Sequence, residues 1–270
     1  MRGIDVSSHN GNIDWKAVKS SGIDFAIIRG GYGNSTTDKY FVENVKGAYE
    51  VGIKIGVYWF CYALTKQDAI KEADYCLSII NKYNLKNMVT LPIFYDFEYD
   101  TERYANEKGV TYTNESRTGI IKAFCDRILE YGIHCGVYLN PDYIKYKVDY
   151  EKLKAYPLWE ASWVSNTNTD FSVPKNGMPF LERNPFLWQF GKGHVLGIEG
   201  DVDLNYGYFI ADTDNKPSEW SKEAVEWAVK NKILQGDENG DYKLRDNITT
   251  ERFITLLHRA IKNIKLDIGE

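Results

Sequence analysis

The sequence has few cysteines, no excess of positive charge and no long apolar run, and each absence excludes a class of protein. Cys61, Cys76, Cys125 and Cys135 have neither CxxC nor metal-ligand spacing, so we expect buried free thiols rather than a metal centre or a disulfide framework. The net charge of −5 and the lack of a basic stripe argue against a nucleic-acid partner. No stretch of about 18 apolar residues occurs, so we expect no membrane-spanning segment.

We also expect no targeting signal at the beginning of the chain. Met1-Arg2-Gly3-Ile4-Asp5 leads straight into a predicted strand, without the apolar segment or the cleavage site of a signal peptide. If this is the native start, we expect synthesis in the cytoplasm and another route to any target outside the cell.

Aromatic residues, in contrast, are abundant. The 270 residues include 20 Tyr, 12 Phe and 7 Trp, whose flat rings and polar edges suit sugars. Core packing explains most of these rings equally well, so the composition alone does not identify a ligand.

Strand-like and helix-like patterns alternate along the first 210 residues. Short apolar runs predict strands, and apolar residues at helical spacing predict helices. The predicted strands are residues 3–6, 25–29, 54–62, 91–98, 134–139, 157–163, 186–190 and 202–204, and the predicted helices are residues 15–20, 40–51, 67–83 and 116–131.

This alternation predicts an α/β fold. Repeated strand–helix units form parallel sheets with right-handed crossovers, and about eight strands can close into a barrel. The last three strands lack good helices between them, which favours an irregular TIM-like (β/α)5(β)3 barrel. An open doubly wound sheet is the alternative, but no GxGxxG follows the first strand, and residues 30–33 lack that spacing.

The composition changes after Tyr208. Residues 211–217 form a polar stretch that ends in a proline, which predicts a linker. Two amphipathic helices and a turn at residues 236–241 follow, and the second helix is expected to face inward with Phe253, Leu256, Leu257 and Ala260. We therefore predict a barrel over residues 1–210 and a small helical C-terminal domain over residues 218–270.

Asp96 and Glu98 are the first candidates for chemistry. Residues i and i+2 of a strand point to the same face, with Cα atoms about 6.6 Å apart. Both lie at the end of a predicted strand, where βα barrels place their active sites. Two carboxylates in partly apolar surroundings repel each other, so one pKa should rise and leave a neutral acid near neutral pH. The alternatives are a solvated loop or a metal site.

Two further acids favour catalysis over those alternatives. Asp5 lies at the end of the first predicted strand, and Asp203 lies at the end of the eighth. The first and eighth strands of a closed barrel are neighbours, so all four acids are expected to meet at one mouth.

Several segments resemble, in family order, glycoside hydrolase family 25, the lysozymes of bacteria and their phages. The resemblance covers about residues 1–210. It rests on Gly3-Ile4-Asp5-Val6-Ser7-Ser8-His9-Asn10-Gly11, Ile93-Phe94-Tyr95-Asp96-Phe97-Glu98, Leu158-Trp159-Glu160-Ala161-Ser162-Trp163, Trp188-Gln189-Phe190 and Gly200-Asp201-Val202-Asp203-Leu204-Asn205.

The resemblance implies a muramidase that cleaves the β-1,4 bond between N-acetylmuramic acid and N-acetylglucosamine in peptidoglycan, without a cofactor or metal. It implies that Glu98 is the general acid and that Asp96 assists the substrate's 2-acetamido group, with Asp5 and Asp203 positioning the substrate and tuning pKa values. An inverting route or a direct nucleophile, with Asp5 or Asp203 in the second role, remains the alternative.

Other residues match positions expected to contact sugars. They are Arg29, Tyr58, Tyr138, Trp163 and Gln189. For each of them the alternative is core packing or an internal hydrogen bond.

The tail, including Ile248-Thr249-Thr250-Glu251, looks like one surface-layer homology motif, a module that binds cell-wall polymers. Such motifs usually come in threes, so a single copy either binds secondary wall polymers, pairs with another copy in a homo-oligomer or packs on the barrel. The sequence therefore predicts a peptidoglycan hydrolase, most like a phage endolysin released through a holin. A bacterial autolysin, a non-catalytic glycan-binding protein and a chitinase-like enzyme are the alternatives.

Overall fold

The computed structural model describes residues 1–164, 168–172, 183–208, 217, 221–236, 242, 244 and 248–267, with side chains described up to residue 262. The chain divides into two compact units, Met1–Phe209 and Ile210–Glu270. The predicted linker at 211–216 and the predicted turn residues 237–241 lie outside the described residues.

Eight strands of the first unit close into a barrel, as predicted. The order around the barrel is β1, β2, β4, β5, β6, β7, β8 and β9, and β9 pairs again with β1. A short strand, β3, forms a hairpin on β2. The strands are β1 (Arg2–Val6), β2 (Phe25–Tyr32), β3 (Thr36–Thr37), β4 (Lys54–Phe60), β5 (Ile93–Asp96), β6 (Cys135–Leu139), β7 (Leu158–Ala161), β8 (Leu187–His194) and β9 (Asp201–Gly207).

The last strand departs from the parallel pattern. β9 runs antiparallel to both β8 and β1. Only six residues separate β8 from β9, which suits an antiparallel connection, because a parallel crossover needs a dozen or more. The prediction that Asp203 lies at a strand's end is therefore wrong: Asp203 lies near the beginning of β9, which starts at the end of the barrel where the parallel strands finish.

Helices cover the outside of the barrel. They are α1 (Trp15–Ser20), α2 (Phe41–Glu50), α3 (Lys66–Lys82), α4 (Tyr99–Glu107) and α5 (Asn114–Glu130). The side chains of Asp14, Thr65 and Thr113 accept hydrogen bonds from backbone N–H groups at the starts of α1, α3 and α5, which stabilises these ends. The sequence prediction missed α4, whose residues are mainly polar and bury only Thr101 and Ala105.

The barrel has an inner and an outer core. The inner core contains Phe25, Phe94 and Trp159, with Tyr58 and Tyr138 packed against it. The outer core fills the space between strands and helices. All four cysteines are buried and free, as predicted.

The second unit contains α6 (Lys222–Lys230) and α7 (Thr250–Asp267). Thr249 Oγ1 accepts a hydrogen bond from Arg252 N at 3.1 Å, which caps α7. Arg259 Nη1 donates to the carbonyl oxygen of Ile233 at 3.2 Å. The prediction that four residues of α7 face inward is wrong for Phe253 and Leu257, which are 54% and 47% exposed, whereas Leu256 and Ala260 are partly buried. Among the residues that the structure describes, no helix combines the length and apolar character needed to cross a membrane.

Candidate active site

Residues from seven strands meet at one end of the barrel, which we call the mouth. The parallel strands finish at this end, and β9 begins there. The sequence-predicted residues on these strands are Asp5, Arg29, Tyr58, Asp96, Tyr138, Gln189 and Asp203.

The predicted carboxylate pair lies where β5 ends. Asp96 is the last residue of β5, and Glu98 immediately precedes α4. The prediction that the strand continues to Glu98 is wrong, but the backbone of Glu98 is still extended, with φ −141° and ψ −170°. Both residues line one cavity of 580 Å³. Glu98 N donates to Thr101 Oγ1 at 3.3 Å, which ties Glu98 to the start of the helix.

Asp5 and Asp203 line an adjoining cavity of 230 Å³. They are direct neighbours across β1 and β9. His9 and Tyr58 line both cavities, which joins them into one cleft. The structure therefore brings the four predicted carboxyl groups to the same cleft.

Gln189 connects the residues of the mouth. Its Nε2 donates to Asp5 Oδ2 at 2.9 Å and lies 3.4 Å from Asp203 Oδ2. Its Oε1 accepts from Tyr138 Oη at 2.9 Å and from Trp163 Nε1 at 3.0 Å. These four partners fix the orientation of the amide, so Gln189 links two acids to two aromatic side chains.

Asn205 is a site residue that sequence reasoning missed. It is fully buried, its Nδ2 donates to Asp5 Oδ2 at 2.8 Å, and its Oδ1 accepts from Trp159 Nε1 at 2.8 Å. Its position two residues after Asp203 placed it on the same strand face, so the strand pattern contained the signal.

Arg29 is fixed by an ion pair and a hydrogen bond that the sequence analysis did not predict. Arg29 Nε forms a 2.7 Å ion pair with the fully buried carboxylate of Asp38, and Nη2 donates to Ser8 Oγ at 2.9 Å. Asp38 Oδ2 also accepts from Ser8 N at 3.0 Å. Arg29 lines the cleft, but these contacts already fix its guanidinium. Asp38 follows the β2–β3 hairpin and lies outside the predicted strands, so no strand or helix pattern in the sequence linked it to the mouth.

All four carboxyl groups have raised pKa values. Burial raises the pKa of Asp5 to about 6, against the opposing effect of hydrogen bonds from Gln189 and Asn205. Burial, with the nearby charge of Asp5, raises the pKa of Asp203 to about 8. Asp5 is therefore the more readily ionised member of this pair, and Asp203 holds its proton at neutral pH.

The other pair is also shifted toward the neutral form. Burial raises the pKa of Asp96 well above its usual range, and the charges of Glu98 and Asp5 add to this. Burial raises the pKa of Glu98, with further contributions from Asp100 and Asp203. Neutral carboxyl groups can act as general acids. Asp96 Oδ1 is buried and has no hydrogen-bond partner among the described residues, which leaves one acceptor for a bound molecule.

The aromatic residues occupy different depths. Tyr58 and Tyr138 pack on Trp159, with ring centroids 6.0 and 4.6 Å from it. Burial raises the pKa of both tyrosines well above the usual value, so their hydroxyl groups remain neutral. Trp163 lies just beyond β7 and is 40% exposed, which places an accessible ring at the rim of the mouth.

The described residues contain no group of three or more His, Cys, Asp or Glu side chains arranged to hold a metal ion. A separate cavity of 520 Å³ lies where β7 and β8 begin, at the opposite end of the barrel from the mouth. The described residues that line it include no carboxylate.

Comparison with known families gives two matches. Residues 4–198 match the model of glycosyl hydrolases family 25. Residues 210–249 match the model of the S-layer homology domain.

Individual proteins of known structure or function are also similar to this chain. The autolytic lysozyme of Clostridium acetobutylicum is 26% identical over 206 residues, which cover 76% of this chain and 55% of that protein. The modular autolysin LytC of Streptococcus pneumoniae, solved with a synthetic peptidoglycan ligand, is 27% identical with a TM-score of 0.61, over 76% of this chain and 46% of LytC. The chain thus covers about half the length of these two proteins. The CTP1L endolysin shares the fold at 22% identity and a TM-score of 0.60, over 98% of this chain and 99% of that one.

Proposed function

The chain belongs to family 25 of the glycosyl hydrolases, and from that premise we propose that it is an N-acetylmuramidase. The bond cleaved is the β-1,4 bond between N-acetylmuramic acid and N-acetylglucosamine in peptidoglycan. The observation that carries the proposal is the cleft in which Asp96, Glu98, Asp5 and Asp203 lie together with raised pKa values.

Glu98 is the proposed general acid. Its raised pKa favours the protonated form of the carboxyl group, and the cavity beside it leaves room for a substrate. Glu98 donates this proton to the leaving glycosidic oxygen. The resulting carboxylate then takes a proton from water as that water attacks the intermediate.

Asp96 is proposed to position the sugar's own nucleophile. Its partnerless Oδ1 suits the N–H of the 2-acetamido group of the sugar. A hydrogen bond there orients the acetamide oxygen toward the anomeric carbon and stabilises the positive charge that develops as the ring closes. Substrate assistance of this kind departs from the usual pair of carboxylates.

Asp5 and Asp203 are proposed to position substrate and set the pKa values of the other acids. Amide donors from Gln189 and Asn205 hold Asp5 Oδ2, which makes this carboxylate a poor nucleophile. Asp203, with a pKa of about 8, is mostly protonated at neutral pH and is a poor base there. Both features favour substrate assistance over a direct route through these two acids.

Five further residues are proposed to contact the sugars. Trp163 offers an exposed ring for stacking, and its indole N–H donates to Gln189 Oε1, which also accepts from the hydroxyl group of Tyr138. Tyr58 borders both cavities of the cleft. Arg29 faces the cleft with its guanidinium fixed by Asp38.

The test of the general acid is a comparison of Glu98→Gln with the wild type on purified cell walls. We expect the rate of turbidity decrease to fall by about a hundred- to ten-thousandfold, since the variant cannot supply a proton. Glu107→Gln, an exposed change at the end of the same helix, is the control and should retain full activity. Equal clearing by Glu98→Gln and wild type would overturn the assignment. Mass analysis of the released fragments must show N-acetylmuramic acid at the reducing end.

We further propose that the S-layer homology region binds secondary polymers of the cell wall. The supporting observation is the family match over residues 210–249. A chain ending at Asp214 should sediment with purified walls less than the full chain does. Equal sedimentation of the two proteins contradicts wall binding. If the exposed side chains of α7 instead contact a second copy of the chain, light scattering will detect a dimer.

For biological origin we propose a phage endolysin rather than an autolysin. The support is the CTP1L endolysin, which shares the fold over nearly the whole of both chains. Bacteria that express the chain should grow normally and lyse only after the membrane is permeabilised. Lysis without permeabilisation would favour the autolysin.

A further inference from the structure

A third cavity extends the cleft toward the β2–β3 hairpin. It has a volume of 340 Å³, and we call it the tyrosine recess. Three tyrosines and the polar tip of the hairpin line it: Tyr32, Tyr62, Tyr104, Asn34, Ser35 and Thr36. None of these residues has a part in the proposed reaction.

The recess is continuous with the cleft. Tyr32 and Tyr62 line both the recess and the cavity that contains Glu98. A polymer held at Glu98 can therefore continue into the recess without leaving the protein surface.

The tyrosine rings are held against one another. The centroids of Tyr32 and Tyr62 are 5.7 Å apart with the rings nearly perpendicular, and those of Tyr62 and Tyr104 are 4.6 Å apart. Phe60 packs on Tyr62 at 5.1 Å. Rings fixed in this way offer apolar surface and hydroxyl groups at little entropic cost, which suits a pyranose ring.

The acids of the recess are already engaged by the protein. Glu72 Oε1 accepts from Tyr62 N at 3.0 Å, and Oε2 accepts from Tyr95 Oη at 2.7 Å. Burial raises the pKa of Glu72 to about 8, so it is mostly neutral at pH 7. Asp68 is paired with Lys71 at 3.2 Å. The recess therefore suits an uncharged ligand better than an ammonium group of a peptide.

We infer that the tyrosine recess binds an N-acetylhexosamine of the same glycan strand, beyond the two sugars joined by the cleaved bond. This inference rests on the proposed function. The tyrosine rings stack on the sugar, and the side chains of Asn34 and Ser35 bind its hydroxyl and acetamido groups. The enzyme consequently favours long glycan chains over short ones.

The test measures kcat/KM on peptide-free glycan chains of two lengths, a tetrasaccharide and an octasaccharide. Tyr104→Leu removes a ring that lines the recess but not the cavity of Glu98. We expect it to lower the octasaccharide-to-tetrasaccharide ratio of kcat/KM by about three- to tenfold, the usual contribution of an aromatic contact. Tyr104→Phe, which keeps the ring, should restore most of the ratio. Tyr49→Leu, at a half-exposed tyrosine of α2, is the control.

Each outcome has a distinct meaning. A wild type that releases no reducing ends from either chain overturns the proposed function itself. An active enzyme whose ratio is unchanged by Tyr104→Leu overturns the sugar site alone. A defect that appears only when stem peptides are attached to the glycan also overturns it, because the recess would then recognise the peptide.

Discussion

At the scale of single residues, Glu98 depends on its neighbours for its proton. Asp100 lies in the first turn of α4 and adds negative charge near Glu98, whose pKa burial has already raised. Asp100→Asn should lower the pKa of Glu98 and move the alkaline limb of the pH–rate profile to lower pH. The shift should be less than about one pH unit, because the Asp100 side chain is 53% exposed and solvent screens its charge.

The profile of kcat/KM against pH measures this shift. Glu107→Gln removes a charge from the same helix without touching the cleft, so its profile should coincide with that of the wild type. An unmoved alkaline limb in Asp100→Asn would show that Asp100 does not act on Glu98.

At the scale of elements, the start of α4 connects the fold to the chemistry. Thr101 is fully buried, and its Oγ1 accepts the backbone N–H of Glu98. Thr101→Val keeps the shape but leaves that N–H without its acceptor. We expect the unfolding free energy to fall by about 1–2 kcal/mol and kcat to fall as Glu98 loses its fixed position.

Thr113→Ala provides the matched control. Thr113 caps α5 by accepting Ser116 N at 3.1 Å, and it does not line the cleft. Its loss should cost about 1 kcal/mol of stability with kcat unchanged. Urea unfolding and initial rates measure the two effects, and parallel losses of kcat in both variants would indicate a general effect of destabilisation.

At the scale of the whole molecule, buried acids make stability depend on pH. Burial raises the pKa of Asp5 to about 6, of Glu160 to about 7, and of Asp203 and Glu72 to about 8. For each of these groups the folded state holds a proton that the unfolded state releases at lower pH. Their stabilising effect is complete below the unfolded pKa values near 4 and is lost as pH rises through the folded values.

Glu72→Gln isolates one part of this dependence. The variant keeps the shape but cannot ionise, so its stability relative to the wild type should increase as pH rises from about 4.5 to 8, by about 1.4 kcal/mol for each pKa unit of the Glu72 shift. Urea unfolding at pH 5 and pH 8 measures the difference. A constant difference between the two proteins at both pH values would contradict a neutral Glu72 in the folded state.

Much of the barrel was predictable because its signals are local. Apolar runs identified all eight barrel strands, and helical spacing identified α1, α2, α3 and α5 within a few residues. The mainly polar α4 lacked the apolar spacing of a helix. The antiparallel direction of β9 follows from the short connection between β8 and β9. The exposure of Phe253 and Leu257 also differs from the prediction, because the apolar pattern of a helix does not specify what covers it.

The candidate site also has features that the sequence predicted and features that only the tertiary structure decided. The spacing of Asp96 and Glu98 and the positions of Asp5 and Asp203 at strand boundaries are properties of the sequence, because strand geometry sets side-chain direction from one residue to the next. Only the closed barrel decided that Gln189 contacts Asp5, 184 positions away, that Asp38 fixes Arg29, and that burial raises the pKa values of all four acids. Such contacts and desolvation depend on residues far apart in the chain, which no local pattern records.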